Sequence, residues 1–109
     1  LLTNVEGVQF LEEPEGYFSN HWLSCIIIDP LVTGISREDM RLALEKENIE
    51  SRPLWKPMHM QPLFENCDYY GTDFSEKLFQ DGLCLPSGSN LTPQEKERIL
   101  NQLKVVFSC

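Results

Sequence analysis

Trp22-Leu23-Ser24-Cys25-Ile26-Ile27-Ile28 decides what kind of fold this chain can adopt. In an extended strand Trp22, Ser24, Ile26 and Ile28 share one face, while Leu23, Cys25 and Ile27 share the other. Apolar side chains on both faces predict a central strand covered on each side. Asp29-Pro30 ends the run and Gly34 marks the loop that follows.

Working outward from that strand, Ser36 is placed to cap a helix. Asp39 sits at the capping-box position, and Glu38 complements the helix dipole. Met40, Ala43 and Leu44 form its apolar stripe. Ile49 to Leu54 reads as a second strand, so the order strand, helix, strand predicts an α/β layer. From Pro57 to Gly71 the chain is expected to be irregular or to hold a short helical turn around Met58 to Phe64, and Asn66 to Gly71 reads as surface loop. Asp73 with Glu76 is expected to cap a short helix carrying Leu78 and Phe79, closed by Gly82. Leu83-Cys84-Leu85 is a short strand stopped by Pro86, and Ser87-Gly88-Ser89-Asn90 is turn material. Thr92, Pro93 and Glu95 open the clearest helix, with Ile99, Leu103, Val106 and Phe107 as its buried stripe and Leu100 beside it. No repeat, low-complexity run or linker divides the chain.

The chain has 109 residues, enough for one domain, and its 41% hydrophobic and 24% charged residues are those of a soluble globular protein. Its net charge of -8, from 17 acidic and 9 basic residues, argues against general nucleic-acid binding. No apolar run approaches the ~20 residues needed to span a membrane. Cys25, Cys67, Cys84 and Cys109 form no CxxC pair, and with only His21 and His59 no zinc spacing can be assembled. The four are read as reduced thiols of a cytoplasmic protein, Cys25 as a small core residue. The chain opens at Leu1 without an initiator methionine, as a processed protein or a piece of a longer one would, and the piece is the favoured expectation.

The segment Ser51-Arg52-Pro53-Leu54-Trp55-Lys56-Pro57-Met58-His59-Met60-Gln61-Pro62 is too stiff for an ordinary loop, because each proline fixes its own φ and restricts its predecessor. It can hold Arg52, Trp55 and His59 in defined directions. An arginine fork, an indole face and an imidazole suit an anionic ligand with flat and polar parts. Each also has a plain structural role open to it: Arg52 pairing with Glu50, Trp55 packing, His59 bonding a turn. Tyr69 and Tyr70 are read as packing over their own loop, Ser87-Gly88-Ser89 as a turn rather than a phosphate cradle, and Glu45, Glu47 and Glu50 as solvated surface.

Several ordered blocks carry a resemblance to a known family. They are Ser19-Asn20-His21-Trp22-Leu23 entering a strand; Arg37-Glu38 opening a helix; Leu44 to Ile49; and Glu50-Ser51-Arg52-Pro53-Leu54-Trp55. Pro57-x-His59-x-Gln61-Pro62, Ser75-Glu76 and Gly82-Leu83-Cys84-Leu85-Pro86-Ser87-Gly88-Ser89 before Leu91-Thr92 complete the set. From about Ser19 onward the chain resembles the small C-terminal domain of the DegT/DnrJ/EryC1/StrS sugar aminotransferases, pyridoxal-phosphate enzymes of the aspartate aminotransferase fold type.

The resemblance implies an α/β (α+β) domain, a small antiparallel or mixed sheet packed with helices. It implies a whole protein that aminates a 4-keto nucleotide-linked sugar with glutamate as donor and works as a homodimer. Its pyridoxal 5'-phosphate is implied to sit in an N-terminal large domain absent from this chain, so no cofactor is expected on this piece and no activity from it alone. Lys46, Lys56, Lys77, Lys96 and Lys104 do not stand in the family's glycine-rich lysine motif. By the same resemblance Arg52, Trp55 and His59, with Asn20 as a further polar contact, are the substrate-binding candidates, and no catalytic or metal-binding residue is expected. A separated small domain should also expose an apolar patch and self-associate. The competing reading is a non-catalytic α/β module that binds a ligand or regulates a partner. A self-contained enzyme has no legible Ser/His/Asp, Cys/His or paired-carboxylate arrangement to support it.

Overall fold

The computed structural model describes residues 2–107; Cys109 lies outside them. Among these residues four strands, β1 (Val8–Phe10), β2 (Ser24–Ile28), β3 (Arg52–Pro53) and β4 (Gly82–Leu85), form one sheet in the order β1-β2-β4-β3 with every neighbouring pair antiparallel. The helices are α1 (Pro30–Thr33), α2 (Arg37–Lys46), α3 (Phe74–Asp81) and α4 (Pro93–Phe107). Three short 3-10 turns lie among these residues at Leu2–Asn4, Met58–Met60 and Pro62–Phe64, the last two deciding for helical turns where irregular chain was the alternative.

The expected central strand is central, but shorter than predicted and covered more deeply on one face than on the other. The register pairs Val8 with Ile28, Phe10 with Ile26, and Ile26 with Leu83, so these side chains share a face. On it Ile26, Ile28 and Leu83 are sealed from solvent together with Met40 and Leu44 of α2, and Leu103 of α4 is 2% exposed. Burying each such side chain is worth about 1.5–3 kcal/mol, so this layer is the main source of stability. The opposite face carries Cys25, Ile27 and Cys84, all only half-buried.

Two departures at strand ends have local causes. Trp22 stands outside β2 and is 72% exposed. The Asn20 Oδ1 accepts the Trp22 N–H at 3.1 Å and His21 takes a left-handed φ of 50°, so the chain is still turning there. Ile49 belongs to the end of α2 rather than to β3. Asn48 adopts a left-handed φ of 54°, the Ile49 N–H reaches the Leu44 carbonyl at 2.9 Å, and the Asn48 N–H reaches the Glu45 carbonyl at 2.9 Å. This is a Schellman closure, with Ile49 buried as its apolar contact. β3 therefore shrinks to an edge strand, where Pro53 is tolerated. β1 is three residues long, too short for its alternation to be read, and α1 is a single turn capped by Asp29 and ended by Gly34 at φ 74°.

The remaining capping signals act largely as expected. Ser36 and Asp39 form a full capping box on α2, and Thr92 and Glu95 exchange the same bonds at the head of α4. Asp73 does occupy the cap position of α3, but its side chain makes no cap bond; it pairs instead with Lys77 at 2.8 Å. Gly82 closes α3 in an extended rather than a left-handed conformation, and passes directly into β4. A Cβ there would collide with the Leu54 side chain and the Leu78 carbonyl, so only glycine lets the start of the proline-rich segment lie against the α3–β4 corner. Arg37 ties that corner to α2: its Nε donates to the Gln80 carbonyl at 3.0 Å and its guanidinium lies 5.3 Å from the Phe79 ring centre.

Candidate functional site

β3 carries Arg52 on the sheet edge, directly opposite Cys84, and the rigid segment beyond it turns Trp55 outward. These two side chains and the first turns of α4 enclose a cleft of about 610 Å³, lined also by Glu50, Ser51, Glu95 and Arg98. Arg52 is engaged by Glu50, whose Oε1 accepts from its Nε at 2.7 Å and lies 2.6 Å from its Nη2 in an ion pair. Both side chains are more than 70% exposed (78% and 73%), so water screens the pair and it adds little to stability. The Trp55 indole is 69% exposed, a flat apolar surface with nothing stacked on it among the described residues. Ser51 Oγ, on the same wall, is shut off from solvent without a hydrogen-bond partner among those residues. A buried hydroxyl left without a partner costs stability. Arg98 has no ion-pair partner among the described residues either, while Glu95 is committed to Thr92.

The structure brings Arg52 and Trp55 onto one cleft and places the other two candidates elsewhere. His59 lies in the 3-10 turn Met58–Met60 with its side chain 17% exposed. Its Nε2 is 2.9 Å from Glu76 Oε1 of α3, and its ring stacks on Tyr69 at 3.8 Å between centres and 21° between planes. Asn20 is exposed, and its side-chain oxygen holds the Trp22 turn; that turn is tied to the end of β4 by Ser87 Oγ, which donates to the Trp22 carbonyl at 2.9 Å.

Sequence reasoning did not reach Arg98 or Ser51. Arg98 was open to it: three positions after Glu95 in a helix capped at Thr92, it shares a face with the capping residue. Ser51 carries no such signal, because its isolation depends on how β3 meets the sheet. Tyr69 packs over its own loop as expected, its Oη donating to the Thr72 carbonyl at 2.7 Å, and it also supports His59.

All five lysines are exposed, and Lys77 is held by Asp73. A lysine that carries a cofactor covalently is desolvated or set beside other cations to lower its pKa. The side chains of this chain therefore do not fit the covalent seat of pyridoxal phosphate. No cluster of three or more metal-ligating side chains exists among the described residues, and none of their helices is long and apolar enough to cross a membrane.

The antiparallel α/β layer agrees with the fold of known proteins. The model of the DegT/DnrJ/EryC1/StrS aminotransferase family matches residues 1–104, and the chain belongs to that family. It is 42% identical over 97% of its length to EpsN of Bacillus subtilis, to which pyridoxal phosphate-dependent aminotransferase activity is attributed. It is 31% identical over 94% of its length to the GDP-perosamine synthase of Vibrio cholerae. In both cases the chain spans 28% of the relative's length. The crystal structure of DesI in the presence of its TDP-sugar product superposes with a TM-score of 0.85 at 22% identity, covering 98% of this chain and 28% of DesI. That likeness establishes the fold.

Proposed function

We propose that this chain is the small C-terminal, substrate-side domain of a pyridoxal-phosphate aminotransferase that aminates a 4-keto nucleotide-linked sugar, with glutamate as amino donor. The observation that carries this reading is the pairing of near-complete coverage of the chain with 28% coverage of EpsN and of the perosamine synthase. The cofactor, which supplies an electron sink during transamination, belongs to the large N-terminal domain of the whole protein. The domain alone is inactive, and the whole protein is a cytoplasmic homodimer. Arg52 offers its fork to a phosphate or carboxylate, exchanging Glu50 for the ligand. Trp55 supplies a flat wall for sugar or base, His59 a hydrogen bond nearer the reacting end, and Asn20 a further polar contact.

The test is amination of GDP- and TDP-linked 4-keto hexoses by the full-length protein with glutamate, the amino sugar being read by mass. Arg52→Ala is expected to raise KM about tenfold with kcat nearly unchanged, the signature of lost uniform binding. Turnover with an unchanged KM removes Arg52 from the site. Absence of turnover with every sugar sinks the reading.

A further inference from the structure

His59 is held from two sides by groups that do not touch the Arg52 cleft. Glu76 Oε1, on α3, meets Nε2 at 2.9 Å, and the Tyr69 ring lies parallel to the imidazole at 3.8 Å. Tyr69 is itself fixed. Its hydroxyl donates to the Thr72 carbonyl at 2.7 Å, and its ring covers Gly71, where any side chain would strike it. The helix bearing Glu76 is anchored by Arg37 through the Gln80 carbonyl and the Phe79 ring. The imidazole is therefore held in this orientation by one hydrogen bond and one ring stack.

A carboxylate only accepts hydrogen bonds, so the hydrogen of a neutral imidazole is drawn to Nε2 and the lone pair is left on Nδ1. Nδ1 makes no hydrogen bond among the described residues. We propose that Glu76 and Tyr69 are positioning residues that fix His59 in this one tautomer and present Nδ1 as an acceptor for a hydroxyl or amino group of the substrate. This rests on the reading above that sets His59 on the substrate side. It gives Arg52 and His59 opposite tasks: the guanidinium takes an anionic oxygen, while a bare imidazole lone pair repels one and selects a donor.

The experiment is nitrogen NMR of the full-length protein with 15N-labelled histidine, at alkaline pH where imidazoles are neutral, with His59→Gln to assign the signals. The wild type is expected to carry its hydrogen on Nε2. Glu76→Gln keeps an acceptor in place and is expected to preserve that tautomer. Glu76→Lys puts a donor opposite Nε2 and is expected to move the hydrogen to Nδ1. In the amination assay Glu76→Lys should lower kcat/KM about tenfold, the loss of one hydrogen bond, while Glu76→Gln restores it. Tyr69→Phe should behave as wild type, and Tyr69→Ala should lose a few-fold. A wild-type hydrogen on Nδ1, or a tautomer indifferent to Glu76→Lys, overturns the proposal. So does an inverted tautomer with unchanged kcat/KM. A wild type that aminates none of the sugars sinks the aminotransferase reading and the substrate half of this proposal, while the tautomer still decides whether Glu76 governs His59.

Discussion

The helix-covered face of the sheet and the two long connections that leave it are built on opposite principles. On the covered face, Ile26, Ile28, Met40, Leu44 and Leu83 are fully enclosed by one another's surroundings within this chain. In the connections, large apolar side chains face outward: Phe18 is 90% exposed and Trp22 72% before β2, Trp55 69% and Leu63 83% after β3. The first region is complete in itself. The second spends apolar surface on nothing inside the chain, which is the pattern of a surface intended for other protein.

The comparison breaks first on stability. Ile26→Ala or Leu83→Ala should cost about 2–5 kcal/mol in denaturant unfolding, whereas Phe18→Ser should stay within about 0.5 kcal/mol. Equal losses from both regions would mean that the exposed connections are part of the core. Phe18→Ser combined with Trp22→Ser should also reduce the self-association of the 109-residue chain in sedimentation experiments.

The helix heads are the next level. Ser36→Ala or Thr92→Ala should lower Tm by roughly 4–8 °C, because each removes one half of a capping box. The Ser36 hydroxyl and then its backbone N–H hold the Asp39 carboxyl below its ordinary value, and the Thr92 backbone and then its hydroxyl do the same for Glu95. Groups whose folded pKa is depressed stabilise above the unfolded value, about pH 4, and lose that contribution as pH falls through the folded value. Stability should therefore fall as pH drops below about 4, and each Ala variant should flatten that dependence.

The mildest probe of the same contrast is thiol chemistry. Burial, then the neighbouring Cys25 at 3.7 Å between sulfurs, pushes the Cys84 thiol up to about 11. Iodoacetamide at neutral pH should alkylate the exposed Cys67 and leave Cys84 unmodified until the sheet is unfolded. Alkylation of Cys84 in the native protein would show that the outer face of the sheet opens.

What could be read from the sequence divides along the same line. Ser36-x-x-Asp39 and Thr92-Pro93-x-Glu95 fix helix starts through bonds within four residues, and both are present as expected. The α2 exit was misread because Asn48 and Ile49 close the helix through backbone geometry, while their side chains look like the start of a strand. Of the site candidates, the pairing of Arg52 with Glu50 was legible two residues away. The capture of His59 by Glu76 spans 17 residues and depends on where Arg37 and Gly82 place α3, so no local pattern announces it. Family resemblance supplied the rest, from blocks whose order no single physical rule explains.

The most direct test of the central claim is the visible absorption spectrum of the protein made from the complete reading frame, before and after glutamate is added. A pyridoxal-phosphate band that shifts on glutamate is the predicted result, and it makes this domain part of a transaminase. A protein with no such band, even after pyridoxal phosphate is supplied, would contradict the account and leave a binding module in its place.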